Sequence, residues 1–107
     1  MQTTAPKVST ISPFKNAMEP LVIAEIDRQL TNFPLEVVQS INKTDAIAYT
    51  LNRLPPLYST TKEGWDWQQE RAKETFAALI SKVAAWGIRA AQRKNKVFPT
   101  PLSQVCN

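Results

Sequence analysis

The chain has 107 residues, 13 lysines and arginines against 9 aspartates and glutamates, a formal net charge of +4, and 43% hydrophobic residues. That composition suits one soluble domain with one modest core and draws anionic partners only mildly. There is no histidine, one cysteine (Cys106) and two glycines (Gly64 and Gly87). Those counts exclude the commonest general base, the usual catalytic triads, an internal disulfide, a zinc site and a glycine-rich phosphate loop. No pair of acids shares an apolar setting of the kind that raises one carboxyl pKa for hydrolysis. No run approaches the ~18 apolar residues of a membrane span, and the first seven residues lack the apolar segment of a signal peptide. The expectation is a cytoplasmic protein that is not an enzyme.

In chain order, residues 1–13 are rich in Ser, Thr, Pro and Lys and read as a flexible arm. A helix starts between Asn16 and Glu19 with Pro20 in its first turn, where a missing N–H costs little. Phe14, Met18, Leu21, Val22, Ile26, Leu30 and Phe33 form its apolar stripe, ending near Asn32. Pro34 to Ile41 reads as a short helix burying Leu35, Val38 and Ile41. Asn42 can cap the next helix, with Asp45 three residues on in the manner of a capping box.

Winding residues 45–54 at about 100° per residue groups Ile47, Leu51 and Leu54 in one apolar sector. Asp45, Tyr49 and Asn52 fall opposite, with Arg53 at the edge. Pro55 and Pro56 end this helix and set a stiff, polyproline-like path through Leu57 to Tyr58. Asp45 also suits a helix first turn on electrostatic grounds alone, whatever else it touches.

Thr60 and Glu63 match a second capping box, and one long helix is predicted from there to about Lys94. Trp65, Gln68, Ala72, Phe76, Leu79, Val83, Trp86, Gly87 and Ala90 share its apolar face, whereas Trp67 points away. About 30 residues at 1.5 Å each span about 45 Å, against a radius of gyration of ~13 Å for a domain of this size. Such a helix overhangs its own domain, so the expectation is a two-fold homodimer that covers the free face; the alternative is a break at Gly87. Arg89, Arg93, Lys94 and Lys96 gather at the C-terminal end, where the helix dipole favours positive charge. Residues 97–107 form an irregular tail. The predicted fold is all-α, three short-to-medium helices and one long C-terminal helix, over residues 14–96.

The series Asn16-Ala17-Met18-Glu19-Pro20-Leu21-Val22, the run from Asp45 through Leu51-Asn52-Arg53-Leu54-Pro55-Pro56-Leu57-Tyr58, and Gly64-Trp65 resemble the ComFB (late competence development) family in its cyanobacterial form. The resemblance covers roughly residues 14–95. It departs from the zinc-bearing branch of the family, because residues 32–44 hold no cysteine. It implies a small, dimeric, all-helical receptor for cyclic dinucleotides, with cyclic di-GMP as the leading ligand and cyclic di-AMP as the other.

Such a ligand carries two phosphate charges, two purine faces and its own two-fold symmetry. Arg53, Lys43, Lys62 and Arg71 are the phosphate candidates, and Arg53 can instead stack on a purine. Tyr49 and Tyr58 offer stacking faces. Asp45 can accept from both N–H groups of a guanine edge, and Asn52 is the more adaptable reader. One ligand at the dimer interface, or two beside it, would match the symmetry. Two other readings remain open. One is a helical adaptor that meets a transcription factor through Trp67 and the basic helix end, without a small ligand. The other, direct nucleic-acid binding, ranks last for want of a recognition helix.

Overall fold

The structure, a computed structural model, describes residues 13–93 and 102–104. Among the described residues there are five α-helices and one two-stranded ribbon. They are β1 (Lys15–Asn16), α1 (Met18–Leu30), α2 (Leu35–Ser40), α3 (Lys43–Leu51), β2 (Tyr58–Ser59), α4 (Lys62–Thr75) and α5 (Ala77–Arg93), with a short 3-10 turn at Leu102–Gln104. The helical class is as the sequence predicts. Most of the predicted arm (residues 1–13) and tail (residues 97–107) lies outside the described residues, as do Lys94 and Lys96 of the basic cluster.

Helix α1 buries Met18, Val22, Ile26 and Leu30 on one face, the spacing that an α-helix converts into a single apolar stripe. Pro34, extended at φ −60° and ψ 150°, opens α2. That helix packs loosely: Val37 and Val38 are half-buried and Leu35, predicted to be core, is 69% exposed. The core takes Ile41 instead, which has already left the helix and is extended at φ −95° and ψ 128°. Helix α3 starts as predicted, with the Asn42 side chain accepting from the Asp45 N–H at 3.1 Å.

The face of α3 that packs most closely is Ala46 and Thr50, flanked by the half-buried Ile47 and Leu51. The reason lies in α5. Gly87 sits against this face so closely that a Cβ there would overlap Thr50 Oγ1 and lie 2.7 Å from the Ala46 carbonyl oxygen. The buried Thr50 hydroxyl donates to the Ala46 carbonyl at 2.8 Å, so no polar group is left unpaired where the helices cross. Gly87 is thus a close-approach position inside a helix and not a break.

The long helix is divided instead at Phe76, which leaves helical geometry at φ −111° and ψ 5°. Neither proline nor glycine stands there. The Phe76 N–H still donates to Ala72 and its carbonyl accepts from Ile80, so the bend costs little hydrogen bonding. Beyond it, Ile80, Val83, Ala84, Ile88 and Ala91 are buried where α5 packs onto α1 and α3 of the same chain. Leu79 (38%) and Trp86 (42%), both on the predicted apolar face, stay exposed on α5.

The ribbon has no counterpart in the predicted helical pattern. Lys15 pairs with Ser59 and Asn16 with Tyr58, antiparallel. The extended segment after Pro56 is therefore not a free-standing rod. Leu57 is buried, its N–H donates to Asn16 Oδ1 at 2.8 Å, and its carbonyl accepts from the Ala17 N–H at 2.8 Å.

Candidate functional site

The ribbon and the first turn of α4 build a grooved surface. Thr61, not Thr60, caps α4, its hydroxyl oxygen accepting from the Gly64 N–H at 2.9 Å. A Cβ at Gly64 would lie 3.0 Å from that oxygen and 3.3 Å from Ser59 Cβ, so β2 lies tightly against the start of the helix. The predicted Thr60 cap is therefore off by one residue.

Two cavities open beside β1. One, of about 300 Å³, is lined by Pro13, Phe14, Lys15, Trp65 and the run from Ser59 to Lys62. The other, of about 470 Å³, is lined by Phe14, Lys15, Asn16, Glu19, Tyr58 and Trp65. Phe14, Lys15 and Trp65 are common to both and form the wall between them. The Lys15 ammonium lies 5.9 Å from the Trp65 ring centre, and Phe14 meets Tyr58 edge-on at 5.7 Å. Tyr58 is 54% exposed, held by the ribbon with its ring available. Lys62 pairs with Asp66 at 2.9 Å, an exposed ion pair that lifts the lysine pKa through the carboxylate hydrogen bond.

The other predicted site residues lie on α3 and farther along α4. Just past the end of α3, the Arg53 guanidinium stacks 3.5 Å from the Tyr49 ring centre and donates to the Tyr49 carbonyl at 3.1 Å. Lys43 reaches Asp27 on α1 at 2.5 Å. Asp45 is half-buried in the first turn, and Asn52 is exposed at the C-terminal cap, its N–H returning to Ala48. Arg71 sits between Trp67 (5.7 Å) and Phe76 (5.6 Å) on α4.

The structure thus unites Tyr49 with Arg53, sets Tyr58 and Lys62 around the ribbon, and joins Arg71 to Trp67. Neither ribbon cavity is lined by an α3 residue. Trp67 is exposed at 63%, as its phase predicts. Trp65, on the apolar stripe, packs against the core and also lines both cavities.

Phe14, Lys15, Asn16, Glu19 and the hydroxyls of Ser59 to Thr61 were not among the predicted site residues. No periodicity marks a two-residue strand, and the pairing joins positions more than 40 residues apart in sequence. Only the motif around Asn16 offered a signal, because an amide directly before a helix is a natural backbone partner. Among the described residues no group of three or more His, Cys, Asp or Glu side chains could hold a metal ion, and no helix is long and apolar enough to cross a membrane.

No curated protein matches the chain significantly. The family model described as "Late competence development protein ComFB" matches residues 15–95, well over half of the chain. That span includes the ribbon, all five helices and every candidate side chain except Phe14 and Pro13. The chain belongs to the ComFB family.

Proposed function

We propose that this protein is a non-enzymatic cytoplasmic receptor for a cyclic dinucleotide, cyclic di-GMP ahead of cyclic di-AMP, that relays the signal through protein contacts. The observation that carries this reading is the grooved ribbon surface. A cyclic dinucleotide needs cations for phosphates, flat faces for purines and a polar reader for the base edge. Here Lys15 and Lys62 supply the cations, and Phe14, Tyr58 and Trp65 supply the flat faces within one small region. The cavities are of the size that encloses part of such a ligand. The ribbon holds Tyr58 in place beforehand, which lowers the ordering cost of association.

A ligand with two-fold symmetry is best met by two copies of one half-site, so the receptor acts as a homodimer. Leu79 and Trp86, seven residues apart on the exposed side of α5, supply an apolar strip for that pairing. Isothermal calorimetry and thermal melts with cyclic di-GMP and cyclic di-AMP test the receptor; absence of heat and of any melting shift with both ligands overturns it.

A second reading rests on the exposed Trp67 beside Arg71. In it the chain is an adaptor for a transcription regulator and uses no small ligand. It predicts silence in the same titrations, together with loss of partner binding in Trp67→Ala.

A further inference from the structure

The two ribbon cavities differ in chemistry although they share a wall. The first is free of carboxylates among its lining residues. It offers Lys15, with Lys62 beside it in its ion pair with Asp66, and the hydroxyl-bearing Ser59, Thr60 and Thr61 beside the first turn of α4. The Ser59 hydroxyl oxygen is buried and has no hydrogen-bond partner among the described residues. The second cavity holds one acid, Glu19, together with Asn16 and Tyr58. Glu19 is exposed in the first turn of α1 and makes no ion pair among the described residues. The Asn16 oxygen is already occupied by two backbone N–H groups, so its NH₂ is the group left for a ligand.

The geometry points to a single nucleotide half straddling β1, with its phosphate in the lysine and hydroxyl cavity and its guanine edge on Glu19 in the other. This assignment rests on the receptor reading and adds the residue that decides the base. A guanine edge presents N1–H and the 2-amino group side by side, which the two oxygens of one carboxylate accept together. The adjacent O6 suits the Asn16 NH₂. Adenine offers one donor and one acceptor on that edge, so a carboxylate oxygen there faces a lone pair and binding is penalised. Glu19, and not Asp45, is then the specificity residue. Asp45 lies on α3, and neither cavity includes it.

Calorimetry on the full chain with cyclic di-GMP and cyclic di-AMP as separate titrants tests this. Glu19→Gln keeps one acceptor and adds a donor. It is expected to weaken cyclic di-GMP roughly tenfold or more, the scale of a lost bidentate base contact, and to leave cyclic di-AMP equal or tighter. Lys15→Gln is expected to weaken both ligands by a similar factor, because both carry the same phosphates. A merely structural role for Glu19 in the α1 first turn would shift the two affinities together and so overturn the assignment. It is equally overturned if Asp45→Asn, rather than Glu19→Gln, removes the preference for guanine. Failure of the receptor reading looks different: the unaltered protein then binds neither dinucleotide. Melting curves of each variant confirm the fold, and Glu19→Ala supplies a second removal of the carboxylate.

Discussion

Asn16 and Leu57 are joined by a hydrogen bond of 2.8 Å from the Leu57 N–H to the Asn16 side-chain oxygen, which also accepts from the Met18 N–H at 3.1 Å. One amide therefore starts helix α1 and anchors the proline segment that ends α3. With the Ala17 N–H bound to the Leu57 carbonyl, this junction sets the register of the ribbon and the placement of Tyr58.

Replacing Asn16 by Leu leaves two backbone donors without an acceptor at a half-buried position. Each orphaned group costs roughly 1–3 kcal/mol, so a loss of about 2–4 kcal/mol is expected after partial rehydration. Urea unfolding followed by circular dichroism measures it. A loss under about 0.5 kcal/mol would show that the junction does not hold the segment.

Gly87→Ala pits two effects against each other. Removing a mid-helix glycine favours the helix by up to about 1 kcal/mol. The added methyl meets Thr50 Oγ1 and the Ala46 carbonyl oxygen, one of them backbone that yields only if α3 moves. Overpacking of this kind costs about 1–3 kcal/mol, so net destabilisation is expected. A variant that melts higher than the parent would mean that α3 and α5 cross at a greater separation.

Glu25 gives the stability an acid dependence. The Arg28 side chain binds its carboxylate at 2.6 and 2.9 Å, and Gln29 adds a hydrogen bond at 2.8 Å. The Arg28 contact outweighs the opposing effect of burial and holds the Glu25 pKa at about 2 against an ordinary 4.5. A depressed carboxylate pKa stabilises the fold fully above the unfolded value, and that contribution fades as pH falls from 4.5 toward 2. Glu25→Gln is expected to flatten the fall in melting temperature across this window; an unchanged slope would assign the acid sensitivity to other carboxylates.

If the protein is the cyclic-dinucleotide receptor proposed above, Tyr58→Ala, which removes the exposed ring of the ribbon, is expected to weaken cyclic di-GMP by about 1–3 kcal/mol, the range for a base stacked on an aromatic side chain. Tyr58→Phe keeps the face and the Phe14 contact, so affinity within about threefold is expected, well inside 1.4 kcal/mol per decade. Equal loss in both variants would make the phenol hydroxyl, not the ring face, the ligand contact.

Much of this molecule is legible in the linear chain. The apolar stripe of α1, the Asn42 cap of α3 and the phase of Trp67 all follow from local rules, because each depends on residues within two turns of one another. The ComFB motif is legible for the same reason: it is a contiguous run of side chains.

What only the tertiary structure decides is where the chain bends and what it brings together. Phe76 carries no local stop signal, yet the helix divides there, and the residues that α5 then buries, Ile80, Val83 and Ile88 among them, meet partners on α1 and α3 that are distant in sequence. Likewise Lys15 and Glu19 join Tyr58, Ser59 and Trp65 around two cavities only through a four-residue ribbon whose strands lie more than 40 positions apart. Local preference acts over a few residues, whereas burial and strand pairing act through space, and the groove is made by the second kind alone.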